Sequence, residues 1–247
     1  MPKSQARAAL SELSGIPKEK IAGFRAPYLK YNGQGFQVVF DQHFLYDSSV
    51  TDIAAGLSKG SRGRLWPYTL DYGIAQKCFT GICPEKNYPG LFEIPIYAML
   101  SKNSAPVAMD PEGGEGRIFE LWQENFYQHR QGNHSPFGIY LHGAWLKNDS
   151  HRAALERFLE WVQQQDDVWF VTMQDILGYM RHPVPARRME DFLKCPVSKP
   201  GLEVCDGRDN NSDGRIDEGL VKTCKYNEDT FRTCGKCPDQ YPAVKAK

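Results

Sequence analysis

The 247-residue sequence has no long apolar run and no excess of charge of either sign. No stretch reaches the roughly 20 apolar residues that a membrane-spanning helix needs. Basic and acidic side chains number 30 each, so the composition favours neither a nucleic-acid partner nor an anionic membrane surface. The start, Met1 to Arg7, lacks the apolar centre of a secretory signal. A core is still expected, because 41% of the residues are hydrophobic and 12% are aromatic.

Cysteine, in contrast, is plentiful for a chain of this length. Five of the seven cysteines follow residue 190, a clustering that favours disulfides and an oxidising compartment. Three Asn-x-Ser triplets, at Asn133, Asn148 and Asn210, are compatible with secretion. The secreted-type cysteine content and the absence of a signal sequence together lead us to expect that the natural N-terminus lies upstream of Met1.

The most informative stretch runs from Pro136 to Leu146. Its apolar part, residues 137–141, predicts a buried strand that ends on His142, and residues 152–165 predict an amphipathic helix. A strand-to-helix junction of this kind is where active sites lie in α/β folds. The alternative is a structural histidine in a loop.

Further strand and helix patterns surround this junction. Residues 21–24, 45–50, 91–97 and 168–173 predict strands, and residues 118–129 and 175–180 predict helices. Alternation of this type indicates parallel strands joined by right-handed crossovers. About five strands are visible and the first has no closing partner, so the sequence predicts an incomplete α/β sheet over residues 1–195 and a separate Cys-rich tail over residues 196–247.

Two short motifs suggest binding chemistry. Arg25 follows a predicted strand and precedes Pro27, which would fix its guanidinium group where it can orient a carboxylate. A surface salt bridge is the simpler interpretation of a single Arg-x-Pro-Tyr motif. Trp66 and Tyr68 flank a proline and could stack on a sugar face, or could equally pack in the core. Cys78 and Cys83 lie close enough to close a small loop as a disulfide.

Six segments occur in an order that resembles the polysaccharide deacetylase family, most closely its animal-type chitin deacetylase branch. They cover roughly residues 1–195, and the family fold is a distorted (β/α) barrel, in agreement with the strand–helix alternation. The segments are Gly23-Phe-Arg-Ala-Pro-Tyr-Leu29, Tyr46-Asp-Ser-Ser49, Leu65-Trp-Pro-Tyr-Thr-Leu-Asp71, Phe92-Glu-Ile-Pro95, Gly138-Ile-Tyr-Leu-His142 with Ala144-Trp-Leu146, and Phe170-Val-Thr-Met173.

The resemblance implies hydrolysis of the acetamide of N-acetylglucosamine units in chitin-like polymer, assisted by zinc or another divalent ion. His142 would protonate the departing amine, Arg25 would hold the catalytic base, and the backbone N–H of Tyr28 would help to bind the oxyanion. The remaining matches imply roles in substrate binding. These residues are Trp66, Tyr68, Asp71, Leu141 and Trp145.

The chain departs from the family pattern at the metal site. The family has an Asp-Asp pair after its first strand and a His-x-x-x-His metal pair, and none of the six histidines has that spacing. The adjacent Asp166 and Asp167 precede a predicted strand, so we interpret them as a turn. We therefore expect no zinc ligands in this chain and no amide hydrolysis by that mechanism.

Two interpretations follow. The chain is either the C-terminal part of a longer secreted deacetylase or a degenerate domain that binds extracellular glycan without cleaving it. The absence of strands that a degenerate copy would normally retain favours the first. A chitin-like polymer is the expected partner in both cases.

The tail carries a pattern of its own. Asp209, Asn211, Asp213 and Asp217 follow the arrangement of a calcium loop, in which oxygen ligands alternate around a turn at Gly214. The final bidentate glutamate of such loops is replaced by Leu220. The tail resembles short Cys-Asp-Gly-x-Asp-Asn repeats of extracellular proteins, and a disordered acidic linker is the alternative. We expect Cys234 and Cys237 to form disulfides, since no second metal-type pair accompanies them.

Overall fold

The computed structural model describes residues 3–53, 63–101, 104–193, 215, 218–226, 229–233 and 237. The helices are Lys3–Ser14 (α1), Gly33–Asp41 (α2), Glu115–Gln131 (α3), Asp149–Gln163 (α4), Met173–Arg181 (α5) and Met189–Leu193 (α6). The strands are Gly23–Phe24 (β1), Tyr46–Asp47 (β2), Thr51–Asp52 (β3), Tyr68–Leu70 (β4), Tyr88–Glu93 (β5), Ile96–Tyr97 (β6), Met99–Ser101 (β7), Ser104–Val107 (β8), Lys222–Tyr226 (β9) and Asp229–Thr233 (β10). Among the described helices, none is long and apolar enough to cross a membrane.

A four-stranded sheet in the order β1-β2-β5-β4 forms the centre of the described part. β1 pairs with β2 and β2 pairs with β5 in parallel, whereas β4 runs antiparallel to β5. β3 and β6 form a second parallel pair. The predicted α/β class with parallel strands in an unclosed sheet is therefore confirmed.

The long helices follow the apolar periodicity of the sequence. Trp122 of α3 is completely buried and packs among aromatic rings of α4, including Phe158, with ring centres 5.6 Å apart. α4 begins at Asn148, whose side-chain oxygen accepts hydrogen bonds from the backbone N–H groups of residues 150 and 151. These two helices enclose one of the main apolar clusters of the molecule.

Two predicted strands are wrong. Residues 137–141 and 168–172 have no regular secondary structure, and neither pairs with a described strand. In the first segment, Phe137, Ile139 and Leu141 pack partly buried against the α3–α4 cluster, so its apolar residues satisfy packing without a hydrogen-bonded ladder. Phe170 of the second segment is 59% exposed.

Two disulfides lie in the described part. Cys78 and Cys83 are bonded, which confirms the predicted small loop. Cys224 is bonded to Cys237, so Cys237 belongs to a disulfide, as predicted. Cys224 lies in β9, which pairs antiparallel with β10, so this part of the Cys-rich tail forms a two-stranded hairpin. The candidate calcium residues Asp209, Asn211, Asp213 and Asp217 lie outside the described residues.

Candidate active site

His142 forms the centre of the candidate site through its pairing with Asp110. Its Nδ1 atom hydrogen-bonds one carboxylate oxygen of Asp110, and its backbone N–H donates to the other at 2.7 Å. Asp110 is held in turn, because its backbone N–H donates to the Tyr140 carbonyl at 3.1 Å. The imidazole remains 68% exposed. An exposed ring that is oriented at Nδ1 can exchange a proton with a bound molecule through Nε2.

The predicted residue Arg25 is fixed by hydrogen bonds and lies against the ring of Tyr140. Its Nε donates to the Ser48 carbonyl at 2.7 Å and its Nη2 donates to the Ser48 hydroxyl at 2.8 Å. The guanidinium carbon lies 4.8 Å from the centre of the Tyr140 ring, and Tyr140 precedes His142 by two residues. The structure thus links Arg25 to the His142 segment through Tyr140.

The chain after Arg25 is strained. Tyr28 and Leu29 have φ values of 55° and 53°, in the left-handed region that non-glycine residues rarely occupy. The Tyr28 side chain is 92% exposed, whereas the Leu29 side chain is buried. Backbone strain of this kind clusters at functional sites, and each such residue costs on the order of 1–3 kcal/mol.

Trp145 and Leu141 contribute packing around the site. The indole N–H of Trp145 donates to the Pro111 carbonyl at 2.8 Å, and the ring stacks on His151 at 4.5 Å. Trp145 is buried and Leu141 is half-buried. Trp145 therefore anchors the turn that carries Asp110, next to the imidazole.

The other predicted binding residues have contacts elsewhere. Trp66 donates its indole N–H to the Asn133 carbonyl at 3.0 Å and stacks on Tyr179. Tyr68 bonds Gln76 through its hydroxyl. Asp71 accepts from the backbone N–H of Gly90 at 3.2 Å, which together with a Thr69 hydrogen bond lowers the pKa of its exposed carboxyl. The substrate-binding roles of these three residues remain predictions.

Buried ionisable groups lie beneath the site. Burial raises the pKa of Asp47 to about 6, and burial together with the charge of Asp47 raises the pKa of Glu93 well above its usual range. Arg64 forms a buried ion pair with Asp52, with 3.8 Å between nitrogen and oxygen. His129 lies next to Arg64, and burial with the arginine charge lowers its pKa to about 4.

The zinc ion that the family resemblance implies does not fit these residues. Within the described part of the chain, no three His, Cys, Asp or Glu side chains gather in a way that could hold a metal ion. His142 and Asp110 supply only two such side chains, and they are bonded to each other. No catalytic step is therefore derived through a metal.

Sequence reasoning missed Asp110. It lies in a polar loop rich in glycine and proline, 32 residues before its partner His142. The only local signal was a carboxylate placed directly before Pro111, which fixes the following backbone. That signal does not indicate which residue Asp110 binds.

No family model matches the chain. Chitin deacetylase 1 of Bombyx mori is 27% identical over 267 aligned positions, which cover 96% of this chain and 45% of that protein. Chitin deacetylase 8 of the same organism is 29% identical over 247 positions, which cover 95% of this chain and 60% of that protein. The chain thus spans about half the length of these curated relatives.

Among solved structures, a crystal structure named "putative polysaccharide deacetylase from Mycobacterium smegmatis" aligns with a TM-score of 0.47 and 23% identity. The alignment covers 70% of this chain and 53% of that protein. The sequence matches to the two Bombyx mori proteins extend over nearly the whole chain. The resemblance found in the sequence is confirmed: this chain is similar to two chitin deacetylases over nearly its whole length.

Proposed function

We propose that the protein binds an N-acetylglucosamine polymer of the chitin type at the surface formed by Asp110 and His142, to which Arg25 is linked through Tyr140, and that this surface is the proton-donor side of a deacetylase site. The observation that carries the proposal is the Asp110–His142 pair, an exposed imidazole oriented by a carboxylate. The two relatives named as chitin deacetylases support the choice of polymer.

The role of each residue follows from its contacts. Asp110 accepts the Nδ1 proton of His142 and fixes the orientation of the ring, so that Nε2 is the atom through which the imidazole would exchange a proton with a bound sugar nitrogen. Arg25 presents a fixed positive charge for an anionic group, because its Ser48 hydrogen bonds prevent rotation. The strained Tyr28 turn follows Arg25 directly, which suits the predicted oxyanion role of its backbone N–H.

Hydrolysis is a separate question from binding. Polarising an acetamide carbonyl and activating water are the tasks of a metal ion in this family, and the described residues do not form a site for one. We therefore expect the described residues to bind acetylated polymer without themselves releasing acetate. A deacetylase activity would need ligands from additional polypeptide, whereas a purely glycan-binding protein would not.

The location that fits this function is extracellular. Two disulfides form in the described part of the chain, and disulfides persist in oxidising compartments. Chitin-type polymers are also encountered outside the cell membrane. We propose that the tail of this extracellular protein binds calcium through Asp209, Asn211, Asp213 and Asp217.

The binding proposal is tested by calorimetric titration with N-acetylglucosamine oligomers and with their de-N-acetylated counterparts. We expect the acetylated oligomers to bind and His142→Ala to weaken that binding about tenfold or more, the effect of losing one charge-assisted hydrogen bond. His182→Ala, which removes an exposed histidine at the end of α5, is the matched control and should bind like the parent.

Two results would overturn the assignment. One is equal affinity of the parent, His142→Ala and Asp110→Asn for acetylated oligomers. The other is preferential binding of the de-N-acetylated oligomers. Loss of binding in Trp66→Ala with unchanged binding in His142→Ala would shift the binding surface to the Trp66 region.

A further inference from the structure

Two carboxylates face each other in the interior of the central sheet. Asp47 of β2 and Glu93 of β5 are direct neighbours in a parallel register. Their residues are 2% and 0% exposed. Like charges in this arrangement would repel strongly in a medium of low polarity, so at least one of the two must be neutral.

Among the described residues, two carboxylate oxygens of the pair have no hydrogen-bond donor, so one of the two carboxyl groups can carry a proton. The backbone N–H of Val50 donates to Glu93 Oε1 at 3.0 Å. Among the described residues, Asp47 Oδ1 and Glu93 Oε2 have no donor. Because both carboxyl groups are buried and occupy neighbouring register positions, a proton on one of them would allow it to donate to the other.

The titratable groups that face Asp47 and Glu93 do not supply enough positive charge to neutralise two carboxylates. The titratable side chains whose charge acts on Asp47 or Glu93 are Arg25, Tyr31, Tyr68, Tyr97 and Tyr140. Burial raises the pKa of each tyrosine above its usual value, so all four are neutral near neutral pH. Arg25 is the one cation in this set, and its donors are engaged by Ser48.

The pair is connected to Arg25 through two serines. Ser49 donates hydrogen bonds to the Asp47 carboxylate, and its hydroxyl accepts from the backbone N–H of Ala26 at 2.8 Å. Ser48, the residue between Asp47 and Ser49, accepts both hydrogen bonds of the Arg25 guanidinium group. A shift of Asp47 would therefore move the segment that orients Arg25.

We propose that Asp47 and Glu93 share a single proton and that this proton makes them positioning residues for Arg25. With the proton in place, the two carboxyls attract each other and the Ser48–Ser49 segment is held. Without it they repel, and the hydrogen bonds that fix Arg25 loosen. Neither the shared proton nor the movement of Arg25 depends on the proposed function.

The first test compares the melting temperatures of the parent and Glu93→Gln as pH is raised. The pair holds protons in the folded state that it releases on unfolding, so the parent should lose stability as pH rises from the ordinary carboxyl range through about 6, where Asp47 titrates, and further as Glu93 titrates well above its usual range. Glutamine keeps a donor to Asp47 and an acceptor for Val50 but does not titrate. We expect the variant to gain about 3 °C on the parent per pH unit in this range.

The comparison is made as a difference at each pH, because other groups also titrate. Glu120→Gln, at an exposed position of α3, is the matched control and should follow the parent at every pH. A constant difference between Glu93→Gln and the parent would overturn the shared proton. If Glu93→Gln does not fold, Asp47→Asn tests the same point, since it also leaves one titratable carboxyl in the pair.

The second test observes Arg25 directly. In nitrogen-edited NMR spectra, the Nε–H resonance of Arg25 should shift with pH at the same midpoint as the carboxyl carbons of Asp47 and Glu93. The shift should vanish in Glu93→Gln. An Arg25 resonance that is unchanged while the carboxyl carbons titrate would refute the positioning role, and this outcome is independent of whether any glycan binds.

Discussion

His129 provides the sharpest test of the interior electrostatics. The imidazole is 3% exposed and lies edge-on to Tyr97, with ring centres 5.0 Å apart. Its Nδ1 lies 3.0 Å from the Ser135 hydroxyl, and the Arg64 guanidinium group adjoins its Nε2. Burial, followed by the charge of Arg64, lowers the pKa of His129 to about 4.

The effect on stability follows from proton linkage. His129 is neutral in the folded protein and takes up a proton on unfolding at mildly acidic pH, so its contribution is complete above pH 6.5 and is lost as pH falls towards 4. A shift from 6.5 to about 4 corresponds to about 3 kcal/mol of unfolding free energy at about 1.4 kcal/mol per pH unit. The Asp47–Glu93 pair acts in the opposite direction over the same range, so the parent alone does not separate the two.

The assay is urea unfolding of the parent and His129→Gln at about pH 7 and about pH 4.5. The variant loses packing and is less stable at the higher pH, but we expect it to lose about 2–3 kcal/mol less than the parent on acidification. His182→Gln, at an exposed position, should follow the parent. Identical pH dependence of His129→Gln and the parent would refute the assignment of a buried neutral imidazole.

Three further predictions concern packing, capping and covalent closure, each measured by chemical unfolding. Trp122→Ala should destabilise by about 4 kcal/mol, because the indole is fully buried, and a loss below about 1 kcal/mol would contradict its place in the core. Thr172→Ala should cost about 1 kcal/mol through loss of the α5 capping box with Asp175, whereas Thr172→Ser should retain most of the stability. Replacing Cys78 and Cys83 together by serine should cost about 2 kcal/mol by releasing a short closed loop, and an unchanged midpoint would show that the loop is held by packing alone.

Helices were the most predictable part of the fold. The predicted helices 118–129 and 152–165 correspond to α3 and α4, because their apolar periodicity is a local property of the sequence. The start of α4 was placed three residues too late. The N-cap residue Asn148 sets that boundary. The two backbone N–H groups that it binds, at residues 150 and 151, lie before the first residue of the apolar pattern.

Strands were harder to predict for a physical reason. The apolar content of residues 137–141 indicates burial, but a strand also needs a neighbour with unpaired N–H and C=O groups. The described structure supplies no ladder for this segment, and Ile139 and Leu141 pack on helices instead. A short apolar run cannot distinguish these outcomes.

The roles of the site residues remain predictions. Family motifs single out His142 and Arg25, and the structure joins their segments through Tyr140. The carboxylates that orient them were missed. Asp110 and Glu93 reach their partners across long sequence separations, and no spacing pattern in a single sequence encodes such a contact.

The central claim is that the described residues offer a proton donor and an arginine to an acetylated sugar but gather no metal site with which to hydrolyse it. The most direct measurement is to incubate the protein with N-acetylglucosamine oligomers and added zinc, and to follow binding and acetate in the same sample. We predict saturable binding and no acetate above the protein-free control. Acetate release that a chelator abolishes, or an absence of any binding, would contradict the account.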